Sequence, residues 1–316
     1  DLLTSKASAA KIRRKLQQYQ PQLVGTTCVT MTFPAAARIL RVCKEFDPGI
    51  TTVMGGQHVS FAADDAFHRA PWIDIVVAGE GDATVVELAS ALDKGADVGN
   101  VAGLYIHRNG TAIKTAPRPL IENLDELSVP ARHLLPLSRY HALGAACSVI
   151  SSRGCPYGCI FCTTPRMYGR KVRFRQPVLV ADEIEVMHRE DGFNQINMVD
   201  DTFTLNRPHA TELCRELIRR AFRLLPALER PRLLDAGCGR GGPTAELARL
   251  GGGVVVGLDI DVRALAALAE RVRHEGLADR VHAVRGTLAA MPFADASFDV
   301  VWAEASLHAI GLEPGL

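Results

Sequence analysis

Three cysteines, Cys155, Cys159 and Cys162, stand within SSRGCPYGCIFC, residues 151–162, spaced C-x3-C-x2-C on a loop punctuated by glycine and proline. Thiolates are soft ligands for zinc or iron, and their spacing discriminates between the two. Structural zinc takes four ligands, usually as two close pairs. No fourth ligand stands nearby, because His188 and Cys214 fall on later helical segments. Three thiolates on one loop instead suit a four-iron cluster that keeps one iron open. Cys28, Cys43, Cys147 and Cys214 are scattered through the chain as small buried hydrophobes are.

Other chemistry-bearing groups sit at strand ends. MGGQH supplies Gly55, Gly56 and His58, and GEGDAT supplies Gly79, Glu80, Gly81, Asp82 and Thr84. Glycine lets a ligand approach the backbone, although a plain turn explains either loop alone. His58 reads as a satisfied loop histidine. NMVDDTF ends a strand with Asp200, Asp201 and Thr202, where parallel α/β folds place ligands; capping a turn or helix is the competing role for Asp201 and Thr202. GRKVRFR reads as a solvated edge bearing Arg170, Lys171, Arg173 and Arg175 rather than an anion site. Finally, RLLDAGCGRGG runs a strand through Asp235 into a turn with Gly237, Gly239 and Gly241. Asp259 follows Gly241 by 18 residues, close to the spacing of an acid that binds ribose hydroxyls. Asp261 is the weaker alternative.

These groups must be positioned by elements that the periodicity outlines. The 316 residues, 47% hydrophobic and 22% charged with a net charge of +1, describe an ordinary globular enzyme of about two domains. No bulk basic field points to nucleic acid. No apolar run approaches the roughly 20 residues of a membrane span, and neither a signal peptide nor a disulfide framework is evident. A reducing, cytoplasmic setting is therefore expected.

SAAKIRRKLQQYQP reads as an amphipathic helix already in mid-course, suggesting the interior of a longer chain. Short β-branched runs then alternate with helical patterns over residues 1–100, the mark of a doubly wound parallel sheet. A hairpin about Asn109-Gly110 and a proline-bearing linker fill 101–145. Two βα units occupy 146–224 around the cysteine loop, and a fresh strand opens an Ala/Leu/Arg-rich domain, 225–316, after a boundary near Leu225–Pro231. The fold class is α/β throughout.

The stretch RGCPYGCIFC, with Phe161 before its last cysteine, resembles the radical S-adenosylmethionine (SAM) superfamily. With PQLVGTTCVT and the two glycine loops ahead of it, residues 1 to about 220 are similar to the cobalamin-dependent subfamily, which includes relatives of the anaerobic porphyrin-ring cyclase and various methylases. The resemblance implies a partial cobalamin-binding domain lacking its first two strands, followed by part of a radical SAM (β/α) barrel. It implies a 4Fe-4S cluster on Cys155, Cys159 and Cys162, with SAM on the open iron split to a 5′-deoxyadenosyl radical. Gly55, Gly56, Gly79, Glu80, Gly81 and Thr84 become cobalamin contacts, and Asp200 and Asp201 line the SAM site. The implied partners are a small-molecule substrate and an electron donor such as flavodoxin or ferredoxin.

The segment D-x-G-C-G-x-G, Asp259 and MPFADASFDVVWAEASLH resemble the class I SAM-dependent methyltransferases. That resemblance assigns Asp235 and Gly237, Gly239 and Gly241 to the methionine end of SAM, Asp259 to its ribose, and Asp299–Trp302 to the active-site floor; Thr287 replaces an acid usual near the adenine. Four adjacent Rossmann-like strands in the order 3-2-1-4 are expected, with FDVVWA an apolar edge. The combined expectation is a cobalamin-dependent radical SAM enzyme carrying a methyltransferase module. The alternatives are a conventional methyltransferase working through the C-terminal unit alone, a non-catalytic cobalamin or SAM binder, and an inactive fusion fragment.

Overall fold

The computed structural model describes residues 8–108, 110–304 and 306. Asn109 of the expected hairpin, and Leu307 and His308 of the C-terminal motif, lie outside the described residues. The chain forms two compact units, Asp1–Leu205 and Asn206–Leu316.

In the first unit, α1 (Ala9–Tyr19), β1 (Leu23–Thr27), α2 (Phe33–Phe46), β2 (Thr51–Gly55), α3 (Gln57–Phe61), α4 (Ala63–Arg69), β3 (Ile75–Val77) and α5 (Asp82–Asp93) alternate as expected. Strands β1, β2 and β3 are parallel; β4 (Leu104–Arg108) and β5 (Thr111–Lys114) add an antiparallel hairpin, giving the order β1-β2-β3-β4-β5. Both faces are covered, so β2 and β3 read as continuous apolar runs rather than alternating ones. Met54 and Val76 pack with Phe33, Leu40 and Phe67 on one side, while Val53, Ile75 and Val77 pack with Leu88 and Leu104 on the other. The glycine loops Gly55-Gly56 and Gly79–Gly81 leave the carboxyl ends of β2 and β3.

The segment read as a linker is pinned rather than free. Leu124 is fully buried, and Arg132 lies in an ion pair with Glu183, which also meets Arg175 at 2.7 Å. The cysteine loop is framed by α6 (Leu137–Ala142), β6 (Cys147–Val149), β7 (Ser152–Arg153), α7 (Thr164–Met167), β8 (Arg173–Phe174), α8 (Pro177–Arg189) and β9 (Ile196–Met198). Strands β6 and β9 are parallel; β7 and β8 pair antiparallel, with Arg153 opposite Arg173.

The second unit begins with α9 (Arg207–Arg223), which packs on α10 (Gly242–Gly251). Helix α9 thus belongs to the second unit, which begins ahead of the boundary expected near Leu225–Pro231. Strands β10 (Arg232–Ala236), β11 (Val254–Asp259), β12 (Val281–Arg285) and β13 (Val300–Trp302) are all parallel, in the order β12-β11-β10-β13, which is the 3-2-1-4 expected. Helix α11 (Val262–His274) covers one face through Leu265, Leu268 and Val272. Among the described residues β13 pairs only with β10, and its Val301 is exposed. Among them, too, no helix is long and apolar enough to cross a membrane.

Candidate functional site

The cysteine loop hangs from a framework of carboxylates. Asp200, just past β9, accepts hydrogen bonds from the Ser151 amide and hydroxyl at 3.1 and 2.9 Å and from the Ser152 hydroxyl, fixing the strand that enters the loop. Asp201 accepts from Thr164 Oγ1 at 3.0 Å, fixing the helix that leaves it. Both aspartates therefore act across elements, and for Asp201 this differs from the turn or helix cap considered from sequence. The Thr202 hydroxyl is buried without a partner.

Within the loop, the Cys155 amide donates to Gly169 O and the Cys162 amide to Cys159 O, both at 3.2 Å. Cys155 is buried, Cys162 half-buried and Cys159 exposed; Ile160 and Phe161 at the tip are almost wholly exposed. All eight cysteines are free thiols. Cys28 and Cys43 are buried as expected of structural cysteines, whereas Cys214 is exposed. The donor set fits a cluster in kind, three unpaired thiols in sequence on one loop. The loop's present arrangement does not gather the sulfurs: among the described residues, no three Cys, His, Asp or Glu side chains could hold one metal ion.

Arg173 and Arg175 correct the reading of a solvated edge, since their side chains are 3% and 14% exposed and both are ion-paired; Arg170 and Lys171 are exposed. The partner of Arg173 is Glu80, at 2.9 Å. Glu80 also meets Arg153 at 3.4 Å and accepts the Ile121 amide at 2.8 Å. Arg153 in turn reaches Asp82 at 2.8 Å. Burial pushes the Asp82 carboxyl up, but the hydrogen bond and charge of Arg153 outweigh it and hold it below its ordinary value.

The other glycine-loop residues divide by access. Gly79 lines a cavity of about 240 Å³ with Tyr105, Arg118 and Arg166, and no heavy atom would lie within 4 Å of a Cβ there. Gly55 is half-buried, with Val77 O 3.8 Å from where a Cβ would sit, and Gly81 is half-buried with Val77 Cγ1 at 3.3 Å from its own. Gly56 is a glycine for an internal reason: at φ +101° a Cβ would sit 2.3 Å from Cys28 O. Thr84 is fully buried, its hydroxyl without a partner. His58 lies in α3 rather than a loop, with Nδ1 3.2 Å from Thr30 Oγ1 and Nε2 buried without a partner. Among Gly55, Gly56, Gly79 and Gly81, Gly79 has the free backbone that the tail of a corrinoid would need, while Glu80 and Thr84 are buried.

In the second unit the glycine turn is held by its own strands. Gly237 and Cys238 amides donate to Leu258 O, and the Gly239 amide donates to Asp259 Oδ2 at 2.8 Å. Gly241, at φ +76°, lets α10 close on α11; a Cβ there would lie 2.1 Å from Leu268 Cδ1. Gly239 faces open space. Asp235 is buried and accepts from Thr244 Oγ1 at 2.6 Å. Burial raises its carboxyl to about 6 against that hydrogen bond, with the charges of Glu304 and Asp259 adding to the rise. Burial likewise drives the Cys238 thiol up to about 12, which removes it as a nucleophile at neutral pH. Asp261 caps α11 through the Arg263 amide. Trp302 stands beside Asp235 in the sheet, but Asp299 bonds the Arg232 amide at the opposite strand end from the glycine turn. Open space over Gly239, beside an acid on the next strand, suits a nucleoside.

Asp82 is visible in the glycine loop of the sequence, but Arg153 and Thr244 stand out in no motif and Arg173 reads there as a solvated charge. Their importance comes from pairings between distant segments, for which no local spacing exists.

Comparison with known proteins agrees with this division. Residues 1–89 match the B12 binding domain family and residues 233–314 a methyltransferase domain family. The chain is 36% identical over 214 residues to an uncharacterised methyltransferase of Pyrococcus horikoshii, covering 67% of this chain and 47% of that protein. It is 34% identical over 232 residues to the anaerobic magnesium-protoporphyrin IX monomethyl ester cyclase of Rubrivivax gelatinosus, covering 71% and 41%. The chain thus spans less than half the length of these curated relatives. Among solved structures, the radical SAM methyltransferase TsrM of Kitasatospora setae, with cobalamin and a [4Fe-4S] cluster bound, shares the fold at a TM-score of 0.57 and 18% identity, over 88% of this chain and 64% of that one. This chain therefore joins a domain of the B12-binding family to one of the methyltransferase family, and its homologues include cobalamin-dependent radical SAM methyltransferases and the magnesium-protoporphyrin IX monomethyl ester cyclase.

Proposed function

We propose that the chain acts as a cobalamin-dependent radical SAM enzyme, transferring a methyl group to, or rearranging, a small-molecule substrate. One observation carries the reading: three free thiols lie on one loop whose base is tied to the glycine loop of a B12-binding-type sheet. Cys155, Cys159 and Cys162 would hold a 4Fe-4S cluster, which supplies an electron to the sulfonium of SAM, while cobalamin, when bound, supplies a methyl carrier. The chain's own groups do the positioning. Asp200 holds Ser151 and Ser152 at the loop's entrance and Asp201 holds Thr164 at its exit. Gly79 offers backbone to the corrinoid tail. A cytoplasmic setting with a flavodoxin- or ferredoxin-like electron donor completes the proposal.

A second reading, conventional methyl transfer by the second unit, is favoured by the open space over Gly239, whose amide is held by Asp259. In it Asp235 and the glycine turn hold the methionine end of SAM and Asp259 its ribose. The test is anaerobic reconstitution of the chain with iron and sulfide, reduction, addition of SAM, and analysis of the nucleoside products. 5′-Deoxyadenosine that disappears in Cys159→Ala supports the first reading. S-adenosylhomocysteine alone, persisting in Cys159→Ala, refutes it in favour of the second.

A further inference from the structure

We infer that Glu80 is a positioning residue for the cysteine loop, a buried carboxylate that joins the glycine loop after β3 and the thiol-bearing loop after β7 into one mechanical piece. The inference rests on the proposed cluster role of the three thiols for its functional meaning, and on geometry alone for its mechanical one.

Strands β7 and β8 pair with one arginine on each. Arg153 and Arg173 stand directly opposite each other across the two strands. Like charges opposite in an antiparallel pair repel, and both guanidiniums are withdrawn from water, with side chains only 17% and 3% exposed. The strand pair therefore needs counter-charges inside the protein. Glu80 and Asp82 supply two, one for each arginine charge. Asp82 is 38% exposed and meets Arg153 alone. Glu80 is 3% exposed, meets both arginines, and is the only carboxylate paired with Arg173 among the described residues.

Arg173 is held further by two carbonyls, Ile121 O at 2.6 Å and Tyr168 O at 2.7 Å, while Glu80 accepts the Ile121 amide. The result is a closed set of bonds through residues 80, 121, 153, 168 and 173. Arg153 is two residues before Cys155, and Tyr168 precedes Gly169, whose carbonyl accepts the Cys155 amide. Both ends of the thiol loop are thus anchored to one carboxylate that itself sits in a loop opening on the cavity at Gly79. A ligand that moves the backbone at Gly79 must move Glu80, and with it the backbone carrying Cys155.

The test uses the metal-free, reduced full chain and the rate at which iodoacetamide alkylates each cysteine, resolved by peptide mass spectrometry. In the wild type, buried Cys155 reacts about tenfold or more slowly than exposed Cys159, because its modification requires local opening. Glu80→Gln is expected to raise the Cys155 rate about tenfold while leaving Cys28 and Cys43, in the core of the same unit, unchanged. Arg153→Lys keeps the charge but loses the fork, and is expected to raise the Cys155 rate about threefold with the same controls unchanged, so an insoluble Glu80→Gln leaves the inference testable. An unchanged Cys155 rate in these variants overturns the inference. A parallel rise at Cys28 also overturns it, because it marks general unfolding. Iron loading is measured alongside: a wild type that takes up no iron refutes the cluster reading, while the alkylation contrast still decides the role of Glu80.

Discussion

Replacing Asp235 by Asn should make the second unit more stable at neutral pH and remove a pH dependence that the wild type carries. The folded carboxyl is raised from 3.8 to about 6, chiefly by burial against β11 and β13. Between those values the folded chain holds a proton that the unfolded chain has released. The unfolding free energy therefore falls as pH rises, with the contribution fully present below about 3.8 and lost through about 6. The difference of about 2 units corresponds to about 3 kcal/mol between pH 4 and pH 7.5. An asparagine keeps an acceptor for the Thr244 hydroxyl, so the substitution removes the charge and little else. The assay is urea unfolding followed by tryptophan fluorescence. Trp72 and Trp302 are the two tryptophans, one in each unit, so a Trp72→Phe background leaves Trp302, the sheet neighbour of Asp235, as reporter. In that background Asp235→Asn should match its parent near pH 4 and unfold about 2 M higher in urea at pH 7.5. Parallel midpoints for the two proteins from pH 4 to 7.5 would refute the reasoning.

Three further outcomes follow from the packing. Glu183→Gln deprives buried Arg132 and half-buried Arg175 of their shared carboxylate and should cost about 3 kcal/mol in the first unit, read by Trp72 fluorescence in denaturant. Gly241→Ala should destabilise the second unit by about 2–4 kcal/mol, because the methyl meets Leu268 at a positive φ, whereas Gly239→Ala should cost about 1 kcal/mol yet weaken SAM binding measured by calorimetry. Cys159→Ala should lower iron uptake on anaerobic reconstitution from about four atoms per chain to near zero, with the circular dichroism unchanged, because Cys159 is exposed and packs against little.

The sequence made the alternation of β1, β2 and β3 with helices readable because both faces of a parallel sheet are buried, and uninterrupted apolar runs such as Ile75–Val77 follow from that. The glycine turn and Asp259 were readable because their relation is local, one strand and one turn apart. What escaped was everything decided by register. Arg173 in GRKVRFR looks like a surface charge in any local window, and only the opposition of β7 to β8, together with Glu80 from 93 residues away, makes it interior. The prolines of 115–136 suggested a tether for the same reason, since nothing nearby announces that Leu124 and Arg132 have distant partners.

That pinned segment changes how the protein can be divided. Cutting between the five-stranded sheet and the thiol loop, at any point from 115 to 145, would part Glu80 and Asp82 from Arg153 and Arg173. A fragment beginning at the cysteine strand would carry two arginines facing each other with no acid between them. The sheet and the thiol loop are therefore expected to survive excision only together.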